Sequence, residues 1–235
     1  MPTIPVRRRV YIAIVKSIVG TYYKLYHRLH VEGAEHVRAQ GPLLIIMNHI
    51  SALDPFALGV ALADRGVIPG VHLWTVSKKE LFQFPPFAAF ISNMGMFPID
   101  RERFDMAAMR TLLSVLRDNK IIAIAPEGTR SPTGRLQAFQ SVVAKIAITR
   151  RVPILPAGAI GSEQAMPIGA KLPRPRPITI RFGPIFELSE FYNVELTDEL
   201  ADRASWGMRT HVAALLPEWM REVPPPSGRI GERKT

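Results

Sequence analysis

Leu43-Leu44-Ile45-Ile46-Met47-Asn48-His49-Ile50-Ser51-Ala52-Leu53-Asp54-Pro55-Phe56-Ala57-Leu58 is the stretch that decides the fold. Five apolar residues without a charge read as a buried strand, the polar turn that follows ends it, and Pro55–Ala63 has a helical pattern. Asp54 before Pro55 suits a helix start: Asp is a good N-cap, Pro fits the first helical position, and the residue before Pro avoids the α region. Strand, turn and helix in that order are the repeating unit of an α/β sheet.

The same alternation continues outward. Leu43–Met47, Val71–Val76, Lys120–Ala125, Ile154–Ala157 and Ile178–Phe182 are expected as strands, and Pro55–Ala63, Asp105–Arg117, Ser141–Arg150 and Glu195–Leu216 as helices. The expectation is one α/β domain over residues 39–220, with a mostly parallel or mixed sheet flanked by helices. Residues 84–100, rich in Phe, Pro, Met and Ala, read either as a hydrophobic loop or short helix beside a lipid-sized pocket or as ordinary core. Pro173–Pro177 is a stiff connector, and residues 221–235 have the Pro, Gly and charge content of a disordered tail.

The chain has 235 residues, 47% of them hydrophobic, and no cysteine. That excludes disulfides, thiolate metal sites and a cysteine-bound covalent intermediate. A formal net charge of +10 favours an anionic partner: nucleic acid, acidic lipid or a phosphorylated small molecule. Residues 1–38 form an amphipathic, basic segment. Arg7, Arg8, Arg9, Lys16, Lys24 and Arg28 are interleaved there with Val10, Tyr11, Ile12, Ile14, Val15, Ile18 and Val19. Lys16 and Lys24 interrupt any membrane span, so a helix lying on an anionic membrane surface is the expectation. A helix packed on its own domain with a solvated basic face is the alternative. Pro2, Pro5 and the tyrosines argue against a signal peptide.

Three blocks carry residues suited to chemistry. Asn48 to Asp54 follows the first strand directly; His49 can take a proton from a hydroxyl if a carboxylate, such as Asp54, holds its other ring nitrogen. Asp54 can equally be only the helix cap, or do both with its two oxygens. Pro126-Glu127-Gly128-Thr129-Arg130-Ser131 ends another strand, with a glycine for close backbone approach, two hydroxyls and a planar guanidinium for a phosphate. Its plain alternative is a polar turn in which Glu127 and Arg130 pair. Between these blocks, Ser77-Lys78-Lys79-Glu80-Leu81 and Asp100-Arg101 flank the apolar stretch with charges that could hold a phosphate or simply be solvated.

In this order the blocks resemble the lysophosphatidic acid acyltransferase family, the bacterial 1-acylglycerol-3-phosphate acyltransferases and their relatives. Asn48, His49 and Asp54 match the first motif; Lys78, Glu80, Asp100 and Arg101 the second; Pro126 to Ser131 the third; Val152-Pro153-Ile154-Leu155-Pro156-Ala157 the fourth. The resemblance covers about residues 40 to 185. It departs from the family pattern at Ala125, where many relatives carry Phe, and at Phe139-Gln140-Ser141-Val142, where many carry Phe-Lys-x-Gly.

The resemblance implies direct transfer of a fatty acyl group from acyl-CoA or acyl carrier protein to the free hydroxyl of 1-acylglycerol 3-phosphate. His49, held by Asp54, would be the general base. Arg130, Lys78 and Arg101, with Gly128 and Thr129, would hold the acceptor phosphate, and Glu127 would orient Arg130. No cofactor beyond the thioester co-substrate and no metal is implied. The implied partners are a lysophospholipid and an anionic membrane surface, with no nucleic acid, and the implied location is peripheral, on the cytoplasmic face of the cell membrane. His27, His30, His36, His72 and His211 read as surface or satisfied core. A non-catalytic basic module would leave the four ordered blocks unexplained.

Overall fold

The structure is a computed structural model and describes residues 6–100 and 105–221. In chain order the elements are α1 (Val6–Leu25), β1 (His30–Glu32), β2 (Leu43–Met47), α2 (Asp54–Ala63), β3 (Leu73–Lys78), α3 (Pro85–Asn93), β4 (Met96–Ile99), α4 (Met106–Arg117), β5 (Ile121–Ile124), α5 (Ser141–Arg150), β6 (Ile154–Ile160), α6 (Ser162–Ala165), β7 (Thr179–Phe182), α7 (Asp198–Ala213) and α8 (Glu218–Arg221).

The seven strands form one sheet in the order β1-β7-β6-β2-β5-β3-β4. Strands β4, β3, β5, β2 and β6 are mutually parallel; β7 runs antiparallel to β6, and β1 runs parallel to β7. The expected mixed sheet is therefore present, with helices packed about it. Central position explains the unbroken apolar runs: every residue of β2 and β5 is buried, as a strand covered on both faces requires. The β3 strand starts two residues later than expected and runs on to Lys78.

Two strands escaped the sequence pattern. In β4 there are four residues, one of them Pro98, and in β1 three, and both sit at sheet edges, where a proline and a short run are tolerated. Residues 84–100 thus divide into helix α3 and strand β4. The start of α4 follows the expectation, with the Asp105 carboxylate accepting from the N–H groups of Ala107 and Ala108.

Helix α1 packs on α2, and three of its basic side chains reach onto the domain. Arg8 donates to Gly70 O (2.8 Å), Lys16 to Ala63 O (2.9 Å), and Lys24 pairs with Asp64 (2.7 Å). The outward face instead carries Val6, Val10, Ile14, Ile18 and Leu25, all more than half exposed. The helix rests on its own domain, and the face it shows to its surroundings is an apolar stripe. Among the described residues no helix is long and apolar enough to cross a membrane.

Between β6 and β7 the chain makes a long excursion, 161–178, with a narrow neck. Gly161, at φ 85°, approaches so closely that a Cβ there would stand 2.4 Å from Pro177 O. Arg221, the first residue of the expected tail, closes α8; residues 222–235 lie outside those described.

Candidate active site

Five parallel strands end on one edge of the sheet, and the candidate residues among those described sit at or just beyond those ends, where α/β sheets place their sites. Asn48 follows β2 and is fully buried. Its amide donates to Ala159 O (2.9 Å) and accepts from Ala159 N (2.7 Å), as a main-chain partner would, which splices the β2 exit onto β6. The direction in which His49 leaves the strand is thereby fixed.

His49 Nδ1 lies 2.9 Å from Asp54 Oδ2, and that same oxygen accepts the N–H groups of Ile50 and Ser51, each at 2.8 Å. An oxygen taking two backbone donors is a carboxylate acceptor, so the ring proton belongs on Nδ1 and the Nε2 lone pair is free to accept a proton. Asp54 is fully buried. It is not the helix cap: Leu53 is the N-cap of α2 and Asp54 the first helical residue, its carboxylate turned back onto the preceding turn. The second oxygen, Oδ1, accepts from Ser162 Oγ at 2.5 Å.

The turn after β5 is bound to His49 by its main chain. Glu127 Oε1 accepts His49 N–H (2.8 Å), and Ser131 N donates to His49 O (2.7 Å). Glu127 Oε2 accepts from both the backbone and side-chain nitrogens of Gln137, at 3.2 and 3.0 Å. Glu127 therefore does not orient Arg130, and its buried carboxylate, satisfied by these N–H donors, holds the loop rather than an anion. Burial raises its pKa, against the opposing pull of the His49 and Gln137 donors.

Gly128, at φ 74°, lies beside the Gln140 side chain. Thr129 is exposed and Arg130 half-exposed, and among the described residues Arg130 makes no ion pair. Lys78, exposed at the end of β3, pairs in register with Ile99 of β4, next to Asp100. Arg101 lies outside the described residues. The structure thus joins His49, Asp54, Glu127 and Gly128 closely and puts Thr129, Arg130 and Lys78 on the same edge.

Two apolar cavities open here. One, of about 260 Å³, is walled by His49, Gly128, Gln140, Val76, Ala108 and Leu112. The other, of about 380 Å³, lies under α1 between Gly20, Val19, Gly59, Val60, Phe90 and Met96. Pro55 and Thr75 belong to the walls of both. The apolar stretch 84–100 contributes Phe90, Met94 and Met96 to the second cavity and also supplies core, since Ile91 and Phe97 are buried.

Sequence reading missed three residues around the site: Ser162, Gln137 and Arg209. The buried guanidinium of Arg209 donates to the carbonyls of Leu136 (3.0 Å), Gln137 (3.1 Å) and Arg221 (3.2 Å), fixing the segment that carries Gln137. None of the three belongs to a local pattern, and no sequence signal could have found them.

A family model described as Acyltransferase matches residues 28–160. A 1-acyl-sn-glycerol-3-phosphate acyltransferase of Cocos nucifera is 33% identical over 160 residues, 66% of this chain and 49% of that protein. One of Bacillus subtilis (strain 168) is 26% identical over 171 residues, 73% of this chain and 80% of that protein. This chain spans about half the length of the plant relatives it matches. The crystal structure of the 1-acyl-sn-glycerophosphate (LPA) acyltransferase PlsC from Thermotoga maritima has a TM-score of 0.69, covers 88% of this chain and 80% of that one, and is 22% identical, a likeness of fold. With more than half of its length matched, this chain belongs to the acyltransferase family.

Proposed function

We propose that the protein transfers a fatty acyl group from a thioester donor, acyl-CoA or acyl carrier protein, to the free hydroxyl of 1-acylglycerol 3-phosphate, yielding phosphatidic acid. The observation that carries this reading is the His49–Asp54 hydrogen bond at the wall of an apolar cavity. His49 Nε2 takes the proton of the acceptor hydroxyl as its oxygen attacks the thioester carbonyl carbon. The C–S bond then breaks and the leaving thiolate receives the proton from His49. General-base help supplies about 10²–10⁴-fold, and alignment of the two substrates supplies much of the rest. Arg130 and Lys78, with Arg101 and the Gly128–Thr129 turn, hold the acceptor phosphate. The two adjoining apolar cavities suit hydrocarbon chains.

The protein acts from a membrane surface, on the cytoplasmic face, with α1 as the contact. Its exposed apolar stripe, flanked by Arg7 and Arg9, supports this, as does the net positive charge. A different acceptor, such as glycerol 3-phosphate, another lysophospholipid or an amino-lipid, is favoured by one feature. Neutral Gln140 lies against Gly128, in the segment where many relatives carry Lys.

The test is thiol release by purified protein from long-chain acyl-CoA, with and without 1-acylglycerol 3-phosphate, in wild type and His49→Ala. Release that needs the acceptor and is lost in the variant supports transfer with His49 as base. Acceptor-dependent release by His49→Ala at the wild-type rate overturns that mechanism. A panel of the other acceptors decides the second reading.

A further inference from the structure

We infer that Ser162 is a positioning residue for the His49–Asp54 pair, holding the free oxygen of the aspartate so that its other oxygen stays on the histidine. Ser162 comes from the far side of the central strand, just after β6, and is 108 residues from Asp54 in sequence. Both residues are fully buried.

The donors around Asp54 are unequally shared. Oδ2 receives His49 Nδ1, Ile50 N and Ser51 N, all from the same short turn, whereas among the described residues Oδ1 receives only the Ser162 hydroxyl. The turn grips the carboxylate at Oδ2 only, and the Ser162 hydroxyl grips it at Oδ1 from the opposite end, so rotation about the Cβ–Cγ bond is resisted at both oxygens. The same excursion grips the turn a second time, since Ser51 Oγ donates to Met166 O at 3.0 Å. Gly161, at φ 85° and pressed against Pro177 O, sets the Ser162 backbone where the hydroxyl reaches the carboxylate. Ser162 touches neither substrate in the proposed reaction and acts through Asp54.

Removing the hydroxyl has a direction that can be worked out. With one donor fewer, the negative charge of Asp54 is less dispersed and stabilises the imidazolium form of His49 more strongly, so His49 binds its proton at higher pH. The carboxylate is also freer to turn, which loosens the ring. The rate of proton transfer suffers, and acceptor binding does not.

The kinetic part of the test rests on the acyltransfer reading; the spectroscopic part does not. The His49 ring is titrated by NMR in the substrate-free protein, with its resonance assigned by its loss in His49→Ala. In Ser162→Ala the His49 midpoint should move up by about half a pH unit or more. In Ser162→Cys, similar in shape with a weaker donor, it should lie in between. In the transfer assay kcat should fall about tenfold in Ser162→Ala with the acceptor KM changed less than about twofold. An unchanged His49 titration and kcat, with only a lower melting temperature, would make Ser162 a purely structural partner and overturn the inference. A rise in KM with kcat intact would overturn it too. If Ser162→Ala does not fold, Ser162→Cys decides by the same two readouts. Should the wild type transfer no acyl group to any acceptor, the proposed function fails and the titration alone judges Ser162.

Discussion

The backbone N–H of His49 is bonded to the Glu127 carboxylate, 2.8 Å away on the neighbouring strand's exit turn. His49 is therefore held at two points by two different acids: Asp54 fixes the ring, and Glu127 fixes the peptide from which the ring projects.

Glu127→Gln should uncouple these two roles. One carboxylate oxygen becomes an amide nitrogen that cannot accept, so at least one of the three N–H groups now aimed at Glu127 loses its partner. A displacement worth about 2 kcal/mol corresponds to a roughly 30-fold drop in kcat. Steady-state kinetics alongside circular dichroism would check that the loss occurs in a folded protein.

Asn48→Ala should act on stability before activity. It strips both partners from the buried main chain of Ala159, at about 1–3 kcal/mol for each unsatisfied group. Urea unfolding should show a lower midpoint with an unchanged slope. Asn48→Asp should do no better, since it turns an acceptor onto the Ala159 carbonyl.

Acid should destabilise the fold in two windows. His27 is buried, bonded to Arg176 O and the Tyr22 hydroxyl, and its pKa is lowered chiefly by burial; His211 is lowered for the same reason. The unfolded chain therefore binds more protons below the ordinary histidine pKa of about 6.5, and stability present above it is lost as pH falls through it. Glu32, paired with Arg181, has a lowered pKa, so its contribution persists to lower pH and is lost only as carboxylates protonate. Glu127, raised by burial, works in the opposite sense and gains as pH falls through its folded pKa. Melting temperatures across pH 5–7 (a range of about two units around the histidine pKa) should fall less steeply in His27→Gln than in wild type.

Gly20→Leu should raise stability and shorten the accepted chain. Gly20 sits inside α1, where glycine costs about 1 kcal/mol relative to alanine, and nothing lies within 4 Å of the position its Cβ would take. The new side chain fills the cavity under α1. Thermal unfolding should occur at a higher temperature, and turnover of long-chain acyl donors should drop relative to short-chain ones.

Most of the sheet was legible because its central strands are covered on both faces and their sequences show it: Leu43–Met47 and Ile121–Ile124 carry no charge. The site was legible where chemistry is local, as with His49 and Asp54 five residues apart. It was illegible where chemistry crosses the sheet, since Ser162 and Gln137 are ordinary polar residues until the fold brings them to a carboxylate. Glu127 shows the intermediate case. Its importance could be read from the motif, but its partner could not, because Arg130 is close in sequence while His49 is close in space. The outward stripe of α1 was hidden for a related reason: which face of an amphipathic helix meets the domain depends on the carbonyls and the Asp64 carboxylate offered by its neighbour.

The narrow neck at Gly161 and Pro177 has an evolutionary corollary. Because β7 reverses direction, residues Ile160 and Thr179 stand side by side, and the chain leaves and re-enters the sheet at one point on the edge that carries His49. Insertions between Pro167 and Arg176 can therefore accumulate without disturbing any strand register, each doubling of that length costing only about 0.6 kcal/mol of closure entropy. Descendants of this chain can remodel the surroundings of His49 while inheriting its bond to Asp54.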